Sequence, residues 1–292
     1  MYDYKLMEAF ASVISCGGFE KASKQLFITQ SAISQRIKLL EEQTGQVLLI
    51  RSTPPKPTES GKAIVAHYNK VKLLENDLTK ELHMEESESF TTISIGLNGD
   101  TLATWFFDAV EEVVKKYKIL LDLRVDDQEE THRLLKDGEV SACISTLKKP
   151  MQSCSAHKIG TMTYRMFVSP KIKDELFPDG FTQESLKNIP VVIYNPKDTL
   201  HTQMFKKAFG RQNVEHLKIF VPSVEQYLDA IKRGMGIGMM PEMQCKNLLK
   251  EGILADAASP HTVEAPLYFH RWNVKSKPLD MLTKSVLKAE LF

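Results

Sequence analysis

The 292-residue sequence has no run of about 18 apolar residues, which excludes a membrane-spanning helix, and no membrane partner is expected. Its first residues, Met1-Tyr2-Asp3-Tyr4-Lys5, lack the apolar centre of a secretion signal. Cysteine is scarce. No two of Cys16, Cys143, Cys154 and Cys245 stand two to four residues apart, so metal-finger spacing is absent. Without a secretion signal a disulfide framework is not expected either, and the chain reads as a reduced, cytoplasmic protein with free thiols. Catalytic motifs are missing too: there is no H-E-x-x-H, no G-x-S-x-G and no P-loop. The glycines at 234, 236 and 238 have the wrong spacing for a dinucleotide loop, and Pro241 follows at once. They read instead as a tight helix-to-strand turn, with the four methionines of Met235–Met243 as core filler. No enzyme, metal or cofactor is expected. Net charge is nearly absent, at +1 from 38 basic and 37 acidic residues, which excludes a histone-like polycation but not a local basic surface.

What is present falls into three parts. Residues 1–58 are helical in pattern and end in the cluster Pro54-Pro55-Lys56-Pro57. Residues 59–88 form one uninterrupted amphipathic pattern that runs into the acidic stretch Glu85-Glu86-Ser87-Glu88. From Thr91 the period changes to strand-like alternation, and strands and helices then take turns, which argues an α/β domain. Ten Lys/Arg against six Asp/Glu lie in residues 1–72, so the basic excess is N-terminal.

The first part reads as a helix-turn-helix. A helix from about Asp3 to Cys16 stops at Gly17-Gly18, a second covers about Glu20 to Leu26, and a third is capped by Thr29 and ended by Gly45. Ile33, Ile37 and Leu40 share one face of the third helix, and Gln30, Ser31, Ser34, Gln35 and Lys38 share another. Amides and hydroxyls suit base edges, and the helix start at Thr29 suits a phosphate, although an outer polar face without a partner has the same pattern. The strand-like Val47–Ile50 and the basic turn after it read as a wing. There Arg51 and Lys56 are either phosphate contacts or solvated cations.

Phe19 to Leu26, Thr29 to Ile37, Leu39-Leu40-Glu41, Gly45, and Leu48 to Gly61 with its Arg51 and Thr58 resemble the LysR-type transcriptional regulators. Ile28 to Lys38, Arg51 to Thr58, Asp100 to Trp105 and His270-Arg271 resemble that family's ArgP/LysG branch, which senses basic amino acids. The resemblance implies an N-terminal winged helix-turn-helix that binds double-stranded DNA and a C-terminal two-lobed, periplasmic-binding-protein-like α/β domain that binds an amino-acid effector. It further implies a dimer or tetramer and contact with RNA polymerase. On this reading lobe I takes residues 91–162 and 267–292, and lobe II takes 163–266.

Independently of the resemblance, Ile64, Tyr68, Val71, Glu75, Leu78 and Leu82 follow a 3-4 spacing that suits a dimeric coiled coil, or a helix packed on its own domain. In open α/β sheets ligands sit at the carboxyl ends of strands. Three such ends offer Asn98, Asp100 and Thr101, then Asp126 and Asp127, then Ser145 and Thr146. Glu225, after Pro222-Ser223-Val224, is a fourth candidate. Asp100, Asp126, Asp127 and Glu225 could hold a cationic effector, and the helix start at Thr101 its carboxylate. A neutral or aromatic effector, or a solute-binding module without specific DNA binding, remains the alternative.

Overall fold

The computed structural model describes residues 3–82, 90–127 and 130–289. Met1, Tyr2 and the acidic run Glu85–Glu88 lie outside them, as does the end of the 59–88 helix pattern beyond Leu82.

The N-terminal unit packs α1 (Tyr4–Cys16), α2 (Phe19–Leu26) and α3 (Gln30–Thr44) around Phe10, Val13, Ala22, Ile33, Ile37 and Leu40. Its helix ends follow the sequence. The Asp3 carboxylate accepts from the backbone N–H of Lys5, Thr29 Oγ1 accepts from that of Ala32, and Gly17 and Gly45 close their helices with left-handed backbone. A two-stranded wing, β1 (Leu49–Ile50) and β2 (Lys56–Pro57), is fixed to α3 by Glu41, which accepts from the N–H groups of Leu48 and Leu49 at 2.8 and 3.3 Å.

The long helix α4 (Glu59–Glu81) leaves this unit through a close approach at Gly61. A Cβ there would stand 2.2 Å from the carbonyl oxygen of Leu48 and 2.9 Å from the Phe10 ring, so only glycine fits. Ile64, Val65 and Tyr68 join the core of the N-terminal unit, and Leu73 joins that of the C-terminal domain. The expected seam is thus divided. Ile64 and Tyr68 pack on their own chain, whereas Leu78 on α4 and Leu82 one residue past its end stay exposed, as does Leu74 beside the stripe.

The C-terminal domain is a continuous mixed sheet flanked by helices. Its strands are β3 (Thr91–Leu97), β4 (Ile119–Val125), β5 (Ala142–Ser145), β6 (Cys154–Val168), β7 (Val191–Ile193), β8 (Lys218–Phe220), β9 (Ile237–Pro241), β10 (Ala255–Asp256) and β11 (Val263–Trp272). They lie in the order β4-β3-β5-β11-β6-β9-β7-β8, with β10 beside β6. β3 is parallel to β4 and β5, and β7 is parallel to β8 and β9. The two long antiparallel strands β6 and β11 join these parallel groups, with an irregularity between Leu267 and Tyr268. The sequence divisions at 162/163 and 266/267 both fall inside these two crossing strands.

The connecting helices are α5 (Gly99–Thr104), α6 (Phe106–Lys116), α7 (Thr131–Lys136), α8 (Pro170–Leu176), α9 (Leu200–Phe209), α10 (Val224–Lys232), α11 (Glu242–Lys250) and α12 (Lys277–Leu287). Among the described residues no helix is long and apolar enough to cross a membrane.

Candidate functional site

Two surfaces carry the polar residues singled out above. On α3 the apolar stripe Ile33-Ile37-Leu40 is buried, which turns Gln30, Ser31, Ser34, Gln35 and Lys38 outward, all exposed, with Thr29 at the helix start. The Thr29 and Ser31 hydroxyls are 2.9 Å apart. Lys38 lies 3.7 Å from Glu42, an exposed pair that constrains it little. Arg51 and Lys56 stand exposed on the wing beside this face, and among the described residues neither forms an ion pair. The turn before α3 presents Phe27 with left-handed backbone (φ 53°) and 93% exposure, a feature that sequence reasoning left unremarked.

The second surface is a cleft between the two parallel strand groups, at the carboxyl ends of β3, β4 and β7. Asn98, Gly99 and Asp100 follow β3, Asp126 and Asp127 follow β4, and Glu130 precedes α7. Across the cleft Tyr194, Lys197, Asp198, Thr199 and Leu200 follow β7, with Val224 and Tyr227 from α10 and Met239 and Met240 from β9. The two sides meet directly where Asn195 Nδ2 donates to Asp127 Oδ1 at 2.8 Å.

Among the described residues that line it the cleft is strongly acidic, with Asp100, Asp126, Asp127, Glu130 and Asp198 against one cation, Lys197, while Arg133 outside the lining lies 3.7 Å from Asp126 and 3.5 Å from Glu130. Tyr164, buried on β6, donates its hydroxyl to Asp100 Oδ2 at 2.9 Å. Burial pushes the Asp100 carboxyl up to about 6. The Tyr164 hydrogen bond opposes this shift, and the charge of Asp198 adds to it. Asp198 is raised by burial as well, despite accepting from the N–H groups of Leu200 and Tyr194. Burial chiefly, with Asp100 and Asp127 adding to it, also raises the Tyr194 phenol. Such a set of desolvated carboxylates gains most from a cation that enters between them.

Of the eight residues expected here from sequence, Asn98, Asp100, Asp126 and Asp127 line the cleft, and four do not. Thr101 is fully buried, and its backbone N–H is already taken by the Asn98 side chain at 3.2 Å, so this helix start offers no free donor at that position. Ser145 is buried, and its hydroxyl accepts from the N–H of Leu147, which turns the strand end inward and leaves Thr146 off the cleft wall. Glu225 points to solvent because Ser223 caps α10, and the residue between them, Val224, is the one that faces the cleft. The methionines also divide: Met239 and Met240 are buried and line the cleft, but Met235 and Met243 are exposed and fill no core.

Sequence reasoning missed Asp198 and Tyr194. The signal was a strand end of the same kind, Val191-Val192-Ile193 before Tyr194, but a three-residue strand shows too little alternation to be recognised.

Residues 4–62 match the family model for bacterial regulatory helix-turn-helix proteins of the lysR family, and residues 87–271 match the LysR substrate binding domain. Over 290 residues the chain is 36% identical to the HTH-type transcriptional regulator ArgP of Pseudomonas fluorescens (strain Pf0-1), covering 99% of this chain and 97% of that one. Among solved structures, ArgP from Mycobacterium tuberculosis superposes with a TM-score of 0.86 at 33% identity, over 99% of this chain and 97% of that one. Full-length LysG from Corynebacterium glutamicum with bound effector Arg gives 0.76 at 32% identity, over 99% and 98%.

Proposed function

From the premise that the chain belongs to the LysR family of DNA-binding transcriptional regulators, we propose that its cleft senses a basic amino acid, L-arginine or L-lysine. The observation that carries this is the imbalance of five carboxylates against one lysine among the described residues lining a partly desolvated cleft. Asp100 and Asp198 hold the side-chain cation. Asp126, Asp127 and Glu130 complete the negative field, and Lys197 takes the α-carboxylate. The bound arginine of LysG supports the same class of ligand.

In this reading the exposed face of α3 enters the major groove. Gln30, Ser31, Ser34 and Gln35 reach base edges, while Thr29, Lys38, Arg51 and Lys56 contact phosphates. Residues 1–58 form the DNA-binding unit and 59–88 the linker helix, and lobes I and II close on the effector. The protein acts in the cytoplasm as a dimer or a pair of dimers on a two-fold operator, with RNA polymerase as a further partner.

Thermal unfolding against a panel of amino acids tests the effector. A ligand at 100 times its dissociation constant adds about 2.7 kcal/mol, which moves the Tm of a chain this size by several degrees. A shift with arginine or lysine and none with neutral amino acids is the expected result. A shift with a neutral metabolite alone refutes the roles given to Asp100 and Asp198.

A further inference from the structure

We propose that α7 is a strut that transmits the state of the cleft to the DNA-binding unit by bracing the linker helix. The proposal rests on reading the cleft as the effector site and adds the route by which that site acts.

The two ends of α7 touch the two things that must be coupled. At its start, the carbonyl oxygen of Asp127 accepts from the backbone N–H groups of Glu130 and Thr131 at 2.8 and 3.0 Å. The same Asp127 accepts from Asn195 across the cleft, so its position reports whether the two sides are together. Arg133, one turn on, lies 3.7 Å from Asp126 and 3.5 Å from Glu130, which binds the cleft carboxylates to the helix body. At the far end α7 runs into Asp137 and Gly138, and both grip α4. Lys62 Nζ lies 3.1 Å from Asp137 Oδ2, and Asn69 Nδ2 donates to the carbonyl oxygen of Gly138 at 2.9 Å. Gly138 presses so closely on α4 that a Cβ there would stand 2.5 Å from Cα of Ala66.

The placement of these contacts along α4 makes them a lever. The second half of α4 is held to the body of the domain: Leu73 lies in its core, Lys70 sits 5.3 Å above the Trp272 ring, and Asp77 accepts from the N–H of Lys277. The first half carries Gly61, Val65 and Tyr68 into the DNA-binding unit, and the brace from α7 lands there. A shift of Asp127 on ligand binding therefore pushes or releases α4 beyond its anchored half and re-aims the winged unit.

The test uses the full-length protein, an operator fragment, and Lys62→Met, Asn69→Leu and Gly138→Ala. None of these residues lines the cleft or the face of α3. In the parent, saturating arginine or lysine should change operator affinity by about tenfold, inside the range usual for coupled sites. In the variants that factor should fall below about twofold, while the calorimetric Kd for the amino acid without DNA stays within about twofold of the parent. By reciprocity the parent's amino-acid affinity should change equally when operator is added, and the variants' should not. A full response in Lys62→Met and Asn69→Leu overturns the strut, whatever Gly138→Ala does to folding. If the parent binds neither amino acid, the effector reading fails instead, and Asp127→Asn then replaces the ligand. A change in operator affinity that Asp127→Asn causes in the parent but not in the Lys62→Met background supports the strut. An equal change in both backgrounds, or no change in either, overturns it.

Discussion

Asp100 sets the pH response of the cleft. It stands against Tyr164 on one side and feels Asp198 on the other, and burial lifts its carboxyl to about 6. A carboxyl raised on folding binds more protons in the native state, so its contribution to stability is complete at low pH and is lost as pH climbs through about 6. A cationic ligand asks for the opposite, an ionised Asp100. Arginine or lysine should therefore bind about tenfold more weakly for each pH unit below 6 and level off above it. Binding should release a proton near the midpoint. Asp100→Asn should remove most of this slope along with much of the affinity. Calorimetry from pH 5 to 8 in two buffers of different ionisation heat checks both, and an undiminished slope in Asp100→Asn would exonerate this carboxyl. Asp126 and Asp127 were legible as lining residues because they directly follow a strand with clear alternation, and Asp100 because it stands in the first turn of the helix just after another. Asp198 was not, because its strand is three residues long, and Glu225 misled because a capped first turn directs one residue into the cleft and its neighbour to water.

At the scale of elements, the proposed reading has α3 and the wing divide recognition between them. The stripe Ile33-Ile37-Leu40 fixes which way α3 faces, and Glu41 holds the wing to it through two backbone N–H groups. Side chains on α3 that reach base edges should carry sequence preference, and cations on the wing should carry affinity without preference. Gln35→Ala should cost about 1–3 kcal/mol on the operator and relax the preference at one base pair per half-site. Arg51→Ala should weaken binding to all sequences alike and reduce the slope of log affinity against log salt by about 1 per site. Titrations on operator and scrambled DNA at four salt concentrations separate these outcomes, and identical losses on both DNAs for both variants would refute the division. Helices α1 and α3 were readable from sequence because caps and stop signals are local: Thr29, Gly17 and Gly45 each act within a few residues of themselves. The break between α5 and α6 at Trp105, in the C-terminal domain, was not readable, since no proline or glycine marks it.

At the scale of the whole molecule, we propose that the linker helix sets how many copies act together. Its sequence showed a single 3-4 stripe, but packing assigns that stripe to two tasks, because Ile64 and Tyr68 are covered by the N-terminal unit of the same chain. Periodicity reports that a face is buried, and only tertiary contact reports against what. What remains exposed of the stripe includes Leu78 and Leu82, at 53 and 57%, with Leu74 beside it at 45%; Leu82 lies one residue past α4, whose 23 residues span about 35 Å. Leucines repeated on one face and left in water are the stripe a second α4 would cover across a two-fold axis, which would place two copies of α3 on one operator. Leu78→Glu puts a charge at the middle of that stripe. It should yield monomers by sedimentation at micromolar concentration and reduce affinity for the full operator to that for an isolated half-site. Because Leu78 is exposed within one chain, the monomer's thermal unfolding and its affinity for arginine should stay close to the parent's. An assembly of unchanged mass would show that α4 is not the seam. Loss of fold together with loss of assembly would show instead that Leu78 serves its own chain, as Ile64 and Tyr68 do.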